Sequence, residues 1–246
     1  NRILYELISS ATREAGIPDN WINLLESRQE VSEMLQLDEF VDLIIPRGSN
    51  EFVRYIMDHS RIPVMGHADG ICHCYVDDGA DMKKALAITI DSKTQYVAVC
   101  NALETLLVHE DIAAEFLPAL KEELDKRNVI LRGCNKTRKI ISCEPATEED
   151  WKTEYLDYIL SVKIVGGVDE AIAHINTYGS GHTDVIVSQS RANIEKFMDY
   201  VDSADVFANC SSRFSDGFRF GFGSEVGIST NKLHARGPVG LEGLVT

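Results

Sequence analysis

Apolar runs rich in β-branched residues alternate with amphipathic helical patterns along this chain, and that alternation restricts the possible folds more than any other feature. Runs such as 103–109 (LETLLVH), 161–165 (SVKIV) and 183–188 (TDVIVS) are each followed by a segment with helical periodicity. Continuous apolar strands that are separated by helices form a parallel sheet covered on both faces. The pattern therefore predicts an α/β fold with parallel sheets and helices on both faces.

The first quarter of the chain shows the same alternation in shorter pieces. Residues 21–25, 41–45 and 62–65 are apolar runs that predict short strands. An amphipathic helical pattern starts at once after Asn1, with no methionine and no lead-in. We therefore expect the chain to be part of a longer protein.

The charge of the chain limits the partners that it can have. There are 39 acidic and 24 basic residues, a formal net charge of -15. Binding to nucleic acid needs clustered Lys and Arg, so nucleic acid is excluded as the main partner. A few local arginines still suffice for a small anionic substrate. No apolar run is long enough to span a bilayer and no secretory signal opens the chain, which predicts a cytoplasmic protein with no membrane partner.

The six cysteines include no C-x-x-C pair, and this favours free thiols in a reducing compartment. Cys72, His73 and Cys74 resemble metal ligands in their spacing. Side chains alternate between the two faces of a strand, however, so His73 is expected to point away from both cysteines. We expect no metal in the reaction.

Cys100 is the candidate nucleophile. It lies in a predicted turn between a helical pattern over 80–94 and the apolar run 103–109, where rigid elements would hold it and still expose it. As a thiolate it would attack a carbonyl carbon, and its backbone N–H would help to stabilise the resulting oxyanion. Asn101 adds a polar group beside it. The residues alone leave a buried structural cysteine as the alternative.

A second candidate site is the turn Arg47-Gly48-Ser49, which leads from an apolar run into a helical pattern. Ser49 is a plausible N-cap, and a helix N-terminus suits a phosphate or a dinucleotide. The alternative is an ordinary capped turn.

Arginines in glycine-rich loops form a third candidate. Arg213, Arg219 and Arg236 lie in such loops after residue 209. The guanidinium group can grip a carboxylate or phosphate with two parallel hydrogen bonds. The alternative is that these are solvated surface arginines.

Five segments, taken in order, resemble the γ-glutamyl phosphate reductase (glutamate-5-semialdehyde dehydrogenase) family of the aldehyde dehydrogenase superfamily. They are HADGICHCYVD, VCNALETLLVH, YGSGHTDVIV, SSRFSDGFRFGFGSEVGIST and HARGPVGLEGL. The resemblance extends from Asn1 to Thr246 and is to the C-terminal portion of these enzymes. It implies the end of a Rossmann-like cofactor domain over 1–66, a catalytic domain over 67–210, and a segment over 211–246 that returns to the cofactor domain and the oligomerisation element.

The resemblance also implies a reaction, the NADPH-dependent reduction of L-glutamyl 5-phosphate to L-glutamate 5-semialdehyde in proline biosynthesis. The reaction would run through a cysteine thioester and release phosphate. Residues 67–70 contain no glutamate of the kind that activates water in oxidising relatives. The implied site residues are catalytic Cys100 and Asn101, cofactor-binding Arg47, Gly48, Ser49 and Glu154, and substrate-binding Arg213 and Arg236.

For partners, the resemblance implies functional coupling to glutamate 5-kinase and a homo-oligomer for the full-length protein. Two alternatives stay open. The chain would be the reductase part of a bifunctional pyrroline-5-carboxylate synthase, or a non-catalytic fragment.

Overall fold

A computed structural model describes residues 1–233 and 235–245, so His234 and Thr246 lie outside the described residues. The chain divides into two compact units. One consists of Asn1–Pro46 and Arg54–Val64, the other of Arg47–Val53 and Met65–Thr246. The boundaries expected at residues 66 and 210 stay predictions. No helix in the described ranges combines the length and the apolar character that a membrane crossing requires.

The first unit is built from short helices around a small core. Its elements are α1 (Arg2–Glu14), α2 (Arg28–Met34) and most of α3 (Asn50–His59). The start of α2 is fixed by a capping box, in which Ser27 accepts from the backbone N–H of Glu30 and the Glu30 carboxylate accepts from that of Ser27. The buried core residues are Leu35, Ile44, Ile56, Ile62 and Val64.

The three strands predicted in this unit are wrong. In place of the predicted strands at 41–45 and 62–65, the described residues form an isolated parallel bridge between Ile44 and Val64. The Ile44 N–H donates to the Pro63 carbonyl at 2.9 Å. Trp21 is 50% exposed, so the run 21–25 is not buried in a sheet. An apolar run becomes a strand only where neighbours satisfy its backbone groups, and here side-chain burial of Ile44 and Val64 accounts for the apolar pattern.

The second unit contains a seven-stranded sheet with the order β4-β3-β5-β2-β1-β6-β7, and every pairing in it is parallel. The parallel sheet predicted from the sequence is therefore confirmed. β4 was not predicted, because it has two residues and no apolar pattern. The strands are β1 (Cys72–Val76), β2 (Leu103–His109), β3 (Ile130–Gly133), β4 (Glu144–Pro145), β5 (Ile159–Val165), β6 (Thr183–Val187) and β7 (Asp205–Ala208).

Helices cover both faces of this sheet, as the sequence predicts. One face packs with α4 (Met82–Thr94) and α5 (Glu110–Asp125), the other with α6 (Val168–Tyr178) and α7 (Arg191–Tyr200). Neighbouring strand residues belong to opposite cores: Leu106 packs on the α4–α5 side and Leu107 on the α6–α7 side. Both are fully buried, which explains the continuous apolar runs.

An antiparallel hairpin follows the sheet, formed by β8 (Gly227–Ser229) and β9 (Gly237–Val239). The sequence did not predict it, because each strand has three residues and begins with glycine, so neither shows a strand pattern. Its start is paired by the Val226 N–H donating to the Val239 carbonyl at 2.9 Å. The Thr230 N–H donates to the Gly66 carbonyl at 3.3 Å, which holds the hairpin beside the segment that leads into β1.

Candidate active site

Cys100 lies in the turn between α4 and β2 and is half-buried. The Ala102 N–H donates to the Val99 carbonyl at 3.0 Å and closes this turn. The Cys72 thiol at the start of β1 donates to the carbonyl of Cys100 at 3.1 Å, and the backbone of Gly70 packs against it. The predicted placement of Cys100 between a helix and a strand is confirmed.

The site lies at the amino ends of the central strands. Gly70, Cys100 and His182 each precede a strand, β1, β2 and β6 respectively, and these three strands are neighbours in the sheet. Ligands of open α/β sheets usually bind beyond the carboxyl ends. Topology alone would therefore have directed attention to the opposite edge of the sheet, whereas the motifs around these residues point to this one.

Two histidines beside Cys100 were missed by the sequence reasoning. One ring nitrogen of His67, one of His182 and the Cys100 sulfur all lie within 4.8 Å of one another. Their rings meet edge to face, with centroids 4.7 Å apart. His67 lies in the segment that leads into β1, and His182 directly precedes β6, the strand on the other side of β1 from β2.

The surroundings of Cys100 favour the protonated thiol. Burial, together with the charges of Glu154 and Glu225, raises the pKa of Cys100 to about 11, and the charge of Arg47 opposes this shift. Near neutral pH the sulfur of this arrangement therefore carries its proton.

Asn101 is buried, and its amide is engaged on both sides. Its nitrogen donates to the Ser215 carbonyl at 2.7 Å, and its oxygen accepts from the guanidinium of Arg213. Arg213 also donates to Gln95 at 3.2 Å, and it lies near enough to Cys100 for their charges to interact. The amide of Asn101 thus orients Arg213 next to the turn that carries Cys100.

Arg236 takes part in a separate network. Its three nitrogens donate to the Thr230 carbonyl at 3.2 Å, to the Asp202 carboxylate at 2.9 Å and to the Asp202 carbonyl at 3.2 Å. These contacts tie the loop before β9 to the end of α7. A substrate-binding role for Arg236 stays a prediction, as does one for Arg219, which donates to Gln95 at 3.4 Å.

The turn Arg47-Gly48-Ser49 lies at the start of α3, as predicted, and the Ser49 hydroxyl accepts from the Phe52 N–H at 3.3 Å. Arg47 donates to the carbonyl of Val226 at the entrance to the hairpin. This contact holds the guanidinium, whose positive charge acts to lower the pKa of Cys100. Whether this turn binds a cofactor stays a prediction.

Glu154 connects that turn to the nucleophile. One carboxylate oxygen accepts from the Gly70 N–H at 2.9 Å, and the other from the Asn50 side chain at 2.7 Å. Asn50 is the first residue of α3, and Gly70 touches the backbone of Cys100. The structure therefore brings the residues predicted to bind the cofactor next to the predicted nucleophile.

The loop that carries Glu154 is held at both ends by buried polar groups. Before it, Asp150 accepts from the Thr147 N–H, Arg132 and Tyr155, each at 2.7 Å. After it, the Leu156 N–H donates to Glu104 at 3.2 Å. Glu104 itself is fully buried and paired with an equally buried lysine, Lys93, at 2.7 Å.

Comparison with curated proteins gives close relatives of this chain. The gamma-glutamyl phosphate reductase of Acetivibrio thermocellus is 68% identical over 245 residues, which are 100% of this chain and 57% of that protein. Gamma-glutamyl phosphate reductase 1 of Synechocystis sp. is 60% identical, with the same two shares. The chain thus spans little more than half the length of these curated relatives.

Solved structures agree with this. The gamma-glutamyl phosphate reductase of Thermotoga maritima superposes with a TM-score of 0.97 at 47% identity, covering 100% of this chain and 60% of that one. The glyceraldehyde-3-phosphate dehydrogenase GapN of Methanocaldococcus jannaschii, solved with NADP, shares the fold with a TM-score of 0.68 at 19% identity, over 94% of this chain and 59% of that one.

The model of the aldehyde dehydrogenase family matches residues 3–135, more than half of the chain. This match covers α1 to β3 and includes Cys100, Gly70 and the turn at 47–49. With an aldehyde dehydrogenase-like sheet and relatives at up to 68% identity over its whole length, the chain belongs to the aldehyde dehydrogenase family.

Proposed function

We propose that this protein reduces L-glutamyl 5-phosphate to L-glutamate 5-semialdehyde with NADPH and releases phosphate, as a step of proline biosynthesis. The observation that carries the proposal is that Glu154 and Arg213 each bind a residue beside the half-buried Cys100: Glu154 accepts from Gly70, which packs on the Cys100 backbone, and Arg213 donates to Asn101. The likeness to gamma-glutamyl phosphate reductases over the whole chain supports the choice of substrate.

Cys100 is the nucleophile of the proposed reaction. Its sulfur bonds to the acyl carbon of the substrate, the bond from that carbon to the phosphate oxygen breaks, and the thiol proton passes to solvent. The product of this step is a thioester on Cys100. Because the pKa of the resting thiol is raised to about 11, loss of its proton accompanies substrate binding and attack.

A bound nicotinamide coenzyme supplies the hydride that reduces the thioester carbon. Collapse of the thiohemiacetal then breaks the carbon–sulfur bond, releases the aldehyde and returns a proton to Cys100. Glu154 suits the hydroxyl groups of the coenzyme ribose, because each of its carboxylate oxygens has acceptor capacity beyond the one hydrogen bond from Gly70 or Asn50. Arg47, Gly48 and Ser49, at the start of α3, suit its phosphates.

Arg213 binds one of the two anionic ends of the substrate. Its guanidinium is oriented by Asn101 and Gln95, next to the turn that carries Cys100. A guanidinium has five N–H donors, so these two contacts leave donors for an anion. Asn101 acts here as a positioning residue, since its own amide is already engaged by Ser215 and Arg213.

The reverse direction gives the sharpest test, because it avoids the labile acyl phosphate. The intact protein is mixed with glutamate 5-semialdehyde, inorganic phosphate and NADP⁺, and formation of NADPH is followed. We expect turnover that requires phosphate, is weaker with NAD⁺ and is abolished in Cys100→Ser. The matched control is Cys134→Ser, in which another half-buried thiol that donates to or accepts from Thr137 is replaced.

Aldehyde oxidation that proceeds without phosphate would contradict the proposal, as would full turnover in folded Cys100→Ser. The bifunctional alternative predicts, in addition, ATP-dependent phosphorylation of glutamate by the same intact protein. A purely non-catalytic role predicts no turnover in either direction. The same proposal includes a cytoplasmic location, homo-oligomerisation and coupling to a glutamate kinase. Coupling is expected because a labile acyl phosphate favours transfer from a nearby kinase.

A further inference from the structure

We propose that His67, Cys100 and His182 together form a binding site for a thiophilic divalent cation, Zn²⁺ being the best match. One ring nitrogen from each histidine and the sulfur lie within 4.8 Å of one another. In a tetrahedral zinc site, with bonds of roughly 2.0–2.3 Å, neighbouring ligand atoms are about 3.3–3.7 Å apart. A closure of about an ångström brings the three atoms to that spacing.

His67 is already oriented for this role. Its Nδ1 lies 2.6 Å from the Ile228 carbonyl, so Nδ1 carries the proton and donates, and the lone pair is on Nε2. A backbone carbonyl that accepts from the far nitrogen is a common way in which proteins fix a metal-binding imidazole. The half-buried ring also leaves a route by which an ion can enter.

His182 supplies the second, independent observation. The residue is fully buried, and its Nε2 has no hydrogen-bond partner within residues 1–233 and 235–245. Its Nδ1 is 2.8 Å from the Thr183 hydroxyl and 3.8 Å from the Cys72 sulfur, so the far nitrogen is the one left over. Buried polar atoms without partners are rare, and a cation would satisfy this one.

The donor set selects the kind of ion. Two imidazoles and one thiolate suit Zn²⁺, and three protein ligands leave a fourth position for water. The described residues contain one further group with metal-like spacing, formed by Asp78, His109 and Asp111, in which the two carboxylates are exposed. That group lacks a thiol and serves as the internal control.

Binding of the cation would prevent Cys100 from acting as a nucleophile. The cation takes the sulfur lone pair and displaces the thiol proton to solvent, so the sulfur is no longer free to form a bond to an acyl carbon. Inhibition therefore rests on the proposed function, whereas the binding itself does not.

Binding is tested by titrating the metal-free intact protein with ZnSO₄ in a calorimeter, and with Co²⁺ while thiolate-to-cobalt absorption is recorded. We expect one equivalent at the site and cobalt absorption that Cys100→Ser removes. His67→Ala should weaken zinc affinity by roughly tenfold or more. His109→Ala should change neither. His182→Gln should behave as His67→Ala, and circular dichroism shows which variants are folded.

Zinc affinity and cobalt absorption that survive in both Cys100→Ser and His67→Ala would overturn the site, as would their loss in His109→Ala alone. A separate assay follows alkylation of Cys100 by iodoacetamide, which Zn²⁺ should slow and EDTA should restore. If Zn²⁺ binds and protects the thiol but leaves turnover intact, the metal site stands and the nucleophilic role of Cys100 fails.

Discussion

Gly70 and Cys100 are packed backbone to backbone, so that a Cβ atom at residue 70 would fall 2.1 Å from the carbonyl oxygen of Cys100. Real side chains do not occupy such a position. The same glycine donates its N–H to Glu154 at 2.9 Å. One residue without a side chain thus connects the nucleophile's turn to the loop proposed to bind the coenzyme.

Gly70→Ala is therefore expected to displace the Cys100 turn. We predict a loss of about 1–3 kcal/mol in the free energy of unfolding, the usual cost of forcing atoms into a packed site, together with most of the turnover. Gly79→Ala is the matched control, because a Cβ there meets nothing within 4 Å, and its effect should be about 0.5 kcal/mol or less. Urea denaturation of both variants measures the difference, and equal stabilities would contradict the close packing.

Arg213→Lys should weaken substrate use while the fold is kept. Lysine retains the charge and loses the planar fork that Asn101 and Gln95 orient. A charge-assisted hydrogen bond contributes about 1.5–3 kcal/mol, so kcat/KM should fall about tenfold to hundredfold. Steady-state kinetics beside Arg219→Lys, which contacts the same glutamine at 3.4 Å, provides the comparison. Unchanged kinetics in Arg213→Lys would remove this arginine from the site.

Replacing one member of the buried ion pair Lys93–Glu104 should reduce the stability of the protein more than replacing both members. Both side chains have no exposed surface and meet at 2.7 Å. Lys93→Met leaves an uncompensated buried carboxylate and should reduce the free energy of unfolding by about 3–5 kcal/mol. The double change Lys93→Met with Glu104→Leu should recover much of that loss.

Denaturation midpoints of the single and double variants measure how much stability the second substitution restores. The exposed pair Arg191 and Glu195 serves for comparison, since Arg191 is 91% exposed and Arg191→Ala should cost about 0.5 kcal/mol or less. A double variant that is less stable than Lys93→Met alone would show that the pair is not held as a buried ion pair.

Asp150 should make the protein sensitive to acid. Burial acts to raise the pKa of Asp150, but hydrogen bonds from Thr147, Tyr155 and Arg132 outweigh it and hold that pKa below its ordinary value. A carboxyl group with a lowered pKa contributes stability above its unfolded pKa of about 4, and this contribution is lost as the pH falls through the folded value. Asp150→Asn should therefore be less stable than the wild type at neutral pH and lose less on acidification. Thermal melts between pH about 7 and about 3 measure both slopes, and parallel slopes would refute the assignment.

How much of this the sequence could predict differs between the two units. Central strands of the large sheet, such as 103–109, were predicted because burial on both faces gives them a nearly continuous apolar sequence. The runs at 21–25 and 41–45 have a similar apolar composition. Whether backbone hydrogen-bond partners lie beside such a run depends on residues distant in the chain, and the local pattern does not encode that.

The site shows the same division. The placement of Cys100 in a helix-to-strand turn and of residues 47–49 at the start of a helix was predicted from local sequence, because such turns and N-caps have local signatures. The partnership of His67, Cys100 and His182 had no such signature, since their closeness follows from β1 lying between β2 and β6. Arg213 and Arg236 looked alike in sequence, and the structure separates them by their partners, Asn101 for one and Asp202 for the other.

The hairpin of β8 and β9 and the residue just before it bind two side chains of the candidate site, Arg47 and His67. The carbonyl of Val226 accepts from Arg47, and that of Ile228, two positions on, accepts from His67. In an extended segment carbonyls two residues apart face the same way, and a shift by one residue turns them to the opposite side. Insertion or deletion of a single amino acid just before this hairpin would thus break the hydrogen bonds to both Arg47 and His67. The length of the segment that leads into the hairpin should therefore tolerate less change than its glycine-rich composition suggests.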